Sequence, residues 1–310
     1  MLSRVASHLY WLSRYLERAE NMARILDVGQ SLALLSAKAG DEASAAEPLV
    51  ITENIDAFRA TGKPATPETV ARFLAWDPQL PSSIANCIEF TRENARSVRG
   101  SITSEMWETI NDTWLQMQAK RRAGHEPIDT AFFDWVKERS HLLRGVTFAT
   151  LRRGQPYHFI RLGTFIERAD NTARILSVKQ ARNAIPEQGA SQFEYYSLSA
   201  VLRSVSALEA YRDTYHDTIG ARRVAELLIF DEYLPRSLRF CAEEIGLQLA
   251  ELPRDAGRHA RRIAEVIHAG LAYGSLEDVH RVGLQPFLDQ FIQDNYRLGD
   301  AVHAGFMETQ

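Results

Sequence analysis

Two cysteines in 310 residues are too few for a disulfide framework, and they suit a reducing cytosol. No run of about 18 apolar residues occurs, so no membrane span is expected. Neither GxGxxG nor a Gly-Lys-Ser/Thr phosphate loop is present, which removes the common nucleotide-binding signatures. GxSxG, HExxH and CxxC are missing too, and with them the familiar hydrolase and zinc readings. Charge is nearly balanced. The 36 basic residues against 40 acidic ones leave a net charge of −4, too weak a field to imply a nucleic-acid partner. Alternating β-branched runs are lacking, whereas apolar residues at helical spacing fill almost every segment. The chain reads as all-α and cytoplasmic, with no cofactor or metal expected.

What is present is a segment that occurs twice. Residues 8–28, HLYWLSRYLERAENMARILDV, match residues 158–178, HFIRLGTFIERADNTARILSV, at a constant offset of 150. A second echo pairs residues 70–89 with 224–243 at an offset of 154, aligning Asp77 with Asp231, Pro81 with Pro235 and Cys87 with Cys241. The matched cysteines read as buried small residues. These echoes predict a helical bundle or array of two pseudo-symmetric tandem repeats, residues 1–150 and 151–310. The halves are expected to pack as one continuous domain, with the repeat helices meeting across an approximate twofold, because repeat units bury their apolar faces against neighbours. The Arg-rich amino terminus superficially suggests a transit peptide. It carries Glu17 and Glu20 and recurs in mid-chain, so no targeting signal is expected.

Punctuation places the elements. A helix is predicted over 3–37, a loop over 38–48, and a helix over 51–60 ending at Gly62. Thr66-Pro67 supplies a helix start, and 76–81, with two prolines, a corner. A long helix follows from about Ser82, interrupted near Gly100, and another starts near Asp129. The second repeat helix begins at Gly154-Gln155-Pro156, and its mate spans about 191–215. The corner recurs at 231–235, and helices over 255–272 and 285–306 complete the chain.

On a helical wheel, Leu9, Leu12, Leu16, Ala19, Ala23 and Leu26 form an apolar surface. Glu17, Asn21 and Arg24 fall opposite, with Arg18 at the border. The second copy places Glu167, Asn171 and Arg174 opposite its apolar face, with Arg168 at the border. Glu20–Arg24 and Asp170–Arg174 read as i,i+4 surface pairs, each contributing about a few tenths of a kcal/mol. One reading is a solvated face. Another is a partly buried polar network where the repeat helices approach, since these identities are unchanged between copies while core positions have drifted. Arginine's planar fork could there clamp a carboxylate or amide-bearing group, or could pair with the acids and fix the packing. His8 and His158 coincide near the helix starts, as packing or capping residues or as acid–base groups. Glu138/His141 and Glu265/His268 have the Glu-x-x-His spacing of di-iron bundles, but their separation does not follow the repeat, so no metal site is assigned.

The segments Leu16–Asn21, Ile166–Asn171, Ser104–Glu108 and Arg222–Ser237 resemble the Alpha-E family, bacterial all-helical proteins named for a Glu-Arg signature. The resemblance spans nearly the whole chain. It implies company with circularly permuted ATP-grasp proteins and transglutaminase-like proteins, in a system that forms or trims peptide-like amide bonds. The implied role is an accessory or scaffold protein for an ATP-grasp amide ligase. The alternative is an enzyme in its own right, using the paired Glu/Arg sets on an amino-acid or peptide-like substrate. No catalytic residue carries over from the resemblance.

Overall fold

The computed structural model describes residues 1–35, 42–123, 128–182 and 192–308, and among them all regular structure is helical. The first half contains α1 (Ser3–Leu35), α2 (Glu42–Ala45), α3 (Glu47–Ile51), α4 (Ile55–Arg59), α5 (Pro67–Trp76), α6 (Ile84–Ser97), α7 (Ser104–Ala123) and α8 (Thr130–Thr150). The second contains α9 (Gln155–Arg182), α10 (Gln192–Ser204), α11 (Leu208–Tyr215), α12 (Ala221–Phe230), α13 (Leu238–Ala250), α14 (Arg258–Tyr273), α15 (Leu276–Val282) and α16 (Leu284–Phe306). Contacts divide the chain into two compact units, Met1–Thr164 with Phe306–Gln310, and Phe165–Gly305. The division thus falls inside α9, not in the turn before it.

In the first unit α1 runs antiparallel to both α6 and α8. His8 meets Asn94 and Leu12 meets Thr91, while Glu20 meets Ser140 and Asp27 meets Lys137. Ala19, Met22, Ala23 and Leu26 enter a core with Leu49, Phe58, Leu74, Ile84, Phe132 and Phe133. The first turns of α9 belong to this unit and cross α1 closely. A Cβ on Gly163 would collide with Ser13 Oγ and the Tyr10 carbonyl, so only glycine fits there. Ser13 and Gly163 are themselves matched positions of the two echoes.

In the second unit α16 lies antiparallel to α9. Gln285 meets Ser177, and Asn295 meets Ile166. Arg261 closes the α13–α14 connection, its guanidinium donating to the carbonyls of Leu249, Leu252, Pro253 and Ala256. The buried positions on α8 include Phe133, Val136, Ser140, Leu143 and Thr147, and those on α16 include Leu288, Phe291, Asn295, Leu298 and Val302. Each lies 155 residues after its counterpart. The two last helices share a burial register with little shared sequence.

Both corners use the same local device. Asp77 and Asp231 leave their helices in extended conformation, and their side chains accept from the Gln79 amide and from the Tyr233 and Leu234 amides. Pro78 follows the first aspartate but Glu232 follows the second, so the aspartate makes the turn in both. Ser83 and Ser237 then cap α6 and α13.

Several expected bounds need correction. Part of the 38–48 loop is helical, in α2 and at Glu47-Pro48, where proline sits harmlessly in the first turn of α3. Residues 36–41 lie outside the described residues. The helix expected over 51–60 breaks after Ile51, where Glu53 adopts φ 56° and the Asn54 amide reaches back to the Leu49 carbonyl. The helix expected over 191–215 breaks in the same way at Ser206, φ 54°, with the Ala207 amide bonded to the Leu202 carbonyl. Both are left-handed helix ends of the kind glycine normally supplies, and neither carries one. Helix α15, capped by Ser275, had no sequence counterpart.

Candidate functional site

The polar side of α1 is buried. Glu17 is 1% exposed, Glu20 0% and Asn21 4%, which rules out the solvated-face reading for the first copy. The covering element is α8. Arg144 donates through Nη1 to Glu17 Oε2 at 2.8 Å and through Nη2 to Glu20 Oε2, bridging the two carboxylates. Glu20 also accepts from Ser140 Oγ at 2.7 Å and from Arg24 Nε at 2.9 Å. His141 stands at the rim, its Nε2 3.2 Å from Arg24 Nη2 and 3.5 Å from Glu20 Oε1. Glu20–Arg24 is therefore no surface pair. Two buried carboxylates face two guanidiniums and a hydroxyl, the pairing that burial of charge demands.

One turn further along, Lys137 bridges Asp27 at 2.8 Å and Asp134 at 2.7 Å. Burial opposes its charge, but hydrogen bonds and attraction from Asp134 and Asp27 outweigh that and raise its pKa.

The second copy differs. Glu167, Arg168 and Asn171 are buried. Arg168 lies over the Phe165 ring and donates to the Pro235 carbonyl at 3.3 Å, while Thr172 donates to the Arg236 carbonyl at 2.9 Å. The Glu-Arg helix is thereby tied to the second corner. Asp170 pairs with Arg174 at 2.7 Å, and Arg174 reaches the Tyr296 hydroxyl on α16. Asn295 donates to the Ile166 carbonyl at 3.0 Å. The position matching Arg144 is Gly299.

Of the remaining candidates, Arg18 is half-buried over the Tyr15 ring. His8 Nδ1 bonds Asn94 Oδ1 at 2.8 Å, and His158 packs edge-on against Tyr157; both are half-buried. Glu138 is exposed and apart from its motif partner's contacts, since His141 faces Glu20 and Arg24. Among the described residues no group of three or more His, Cys, Asp and Glu side chains is arranged to hold a metal. Cys87 and Cys241 are buried free thiols, donating to the Ser82 and Pro235 carbonyls.

Ser140 and Arg144 were missed by sequence reasoning, and Glu20 was placed on the surface with Arg24. Glu20 carried one signal, an acid at the matched position 170. Ser140 and Arg144 share a helix face by their spacing, but nothing in sequence points that face at α1. Chemically, the cluster is a clasp: each carboxylate is engaged by cations, and the whole fastens α8 to α1.

A family model, Alpha-E, described as a predicted alpha-helical domain with a conserved ER motif, matches residues 1–307. An uncharacterized protein of Mycobacterium bovis is 26% identical over 320 residues, covering 93% of this chain and 35% of that protein. An uncharacterized protein of Mycobacterium tuberculosis shows the same identity and coverage. The chain thus spans about a third of the length of the curated relatives it matches. No solved structure matches it. No helix among the described residues is long and apolar enough to cross a membrane.

Proposed function

The chain belongs to the Alpha-E family, and from that premise we propose that it is a cytoplasmic accessory module of an amide-forming system. It serves an ATP-grasp ligase, with a transglutaminase-like protein as a further partner, and the partners carry the catalytic groups. The observation that carries this reading is the engagement of the Glu-Arg chemistry in packing. Glu17 and Glu20 are buried and held by Arg144, Arg24 and Ser140, while Arg168 is spent on a backbone carbonyl. Groups so engaged make a rigid scaffold, whereas a general acid or base must be free to exchange a proton with substrate. The relatives support it as well, since each holds the matching region as about a third of a longer chain.

A ligase must hold triphosphate with metal-bridging acids and phosphate donors. The isolated chain should be inert with ATP, magnesium and amino acids. Adding its ATP-grasp partner should yield a complex with amide-forming turnover, weakened by Arg18→Ala or Arg168→Ala. Magnesium-dependent ATP turnover by the chain alone, abolished by a point substitution, would replace the accessory role with an enzymatic one.

A further inference from the structure

The outer side of α8 is unlike that of its counterpart α16. Along α8 the exposed positions are Thr130, Ala131, Asp134, Glu138 and His141, then the mostly apolar run Leu142, Gly145, Phe148 and Ala149. Leu142 is 46% exposed and Phe148 64%. Nothing lies within 4 Å of a Cβ built on Gly145, so the stripe is open at its middle. In the shared register, α16 places Arg297, Asp300 and His303 where α8 places Leu142, Gly145 and Phe148. The architecture therefore has no need of apolar side chains there. Large exposed apolar groups on a helix that the fold would accept as polar mark an interaction surface.

The charges on that surface say what covers it. Acids occupy its amino-terminal end, at Asp134 and Glu138, and exposed bases stand just past its carboxyl end, at Arg152 and Arg153. The Arg153 guanidinium lies over the Phe148 ring, 5.2 Å from its centre, which places that basic end beside the apolar stretch. Counting outward from Gly145, Leu142 and Phe148 each lie three residues away, and Glu138 and Arg152 each lie seven. A surface ordered acid–apolar–base about a central glycine is complementary to itself when reversed.

We propose that this stripe is the interface of an antiparallel homodimer, with the twofold axis passing at Gly145. Leu142 then packs against Phe148 of the partner subunit, and Glu138 faces Arg152 of the partner subunit. Gly145 lets the two backbones approach closely at the crossing. Such an interface is isologous, each patch serving both sides, and it closes at two copies. One helix pair lies at the low end of interface sizes, below about 1,200 Å², so the dimer is weak and concentration-dependent. The inference stands apart from the proposed accessory role, because it concerns this chain alone.

Sedimentation equilibrium of the full chain over a concentration series tests it. A monomer–dimer equilibrium is expected. Leu142→Arg and Phe148→His, which install the residues found on α16, should each weaken association by roughly tenfold or more, with unchanged thermal melts because both side chains are exposed. Glu138→Arg alone should weaken it, and adding Arg152→Glu should recover it, a readout that survives the misfolding of any apolar-site variant. A monomer at every concentration overturns the proposal. So does a dimer indifferent to Leu142→Arg, or a charge swap that fails to recover association.

Discussion

The α1–α8 pair and the α9–α16 pair bury matched positions yet settle their polar groups in opposite ways. In the first, two carboxylates are sealed in by Arg144, Arg24 and Ser140. In the second, Gly299 stands at the bridging position, Asn295 turns to a backbone carbonyl, and the acid at 170 is the shorter aspartate, paired with Arg174. Apolar spacing alone holds the common architecture, and each pair then compensates its own charges. The first pair bridges its two acids with one arginine, whereas in the second, where Glu167 is also buried, Asp170 has Arg174 as its own counter-ion.

The sharpest way to break this comparison is Arg144→Ala. It leaves Glu17 and Glu20 short of a counter-charge inside the protein, and loss of about 3–5 kcal/mol is expected by denaturant titration. A loss below about 1 kcal/mol would make the clasp equivalent to a surface pair. Next come Leu143→Ala and Leu298→Ala, which occupy the same place in the two pairs and are 3% and 1% exposed. Each should cost about 2–5 kcal/mol. Similar losses support the common register, whereas a near-neutral result at either site would break it. Arg174→Ala should cost less than Arg144→Ala, about 1–3 kcal/mol, because Arg174 neutralises one partly buried carboxylate, Asp170, where Arg144 bridges two sealed ones.

The smallest effect separates the pairs by pH. Lys137 has a pKa raised above 10.5 by Asp134 and Asp27 against the cost of burial. A raised folded-state value gives stability that is present below the unfolded pKa and lost as pH climbs through the folded one. The first pair should therefore weaken in alkali above about pH 10.5, and Lys137→Met should remove that component from a series of melts. The matching residue on α16 is Ile292, which carries no such sensitivity. An unchanged alkaline slope in the variant would assign the effect elsewhere.

Much of this was legible before folding. The starts expected at Thr66, at about Ser82 and near Asp129 lie where Thr66, Ser83 and Asp129 cap their helices, and burial of Glu17 and Asn21 was signalled by identities that outlast the core's. The breaks at Glu53 and Ser206 were not, because their left-handed residues are of types that usually avoid that conformation. Nor was the matched burial of α8 and α16. A burial register needs only some side chain that packs at each turn, so Val136 can become Phe291, and Thr147 can become Val302. Glu20 was misread for a related reason: its spacing to Arg24 is the same on a wet helix as on a dry one.

Each compact unit contains one thiol, Cys87 in the first and Cys241 in the second, and both are 0% exposed. A thiol reagent can reach either only when its surroundings open, because reactivity requires an accessible thiolate. Labelling rates therefore measure opening of the two units separately, within one native molecule and without any introduced probe. If the two cysteines are modified in step, the units open as one cooperative body. If Cys87 is shielded long after Cys241 has reacted, the clasp on α1 gives its unit a slower clock.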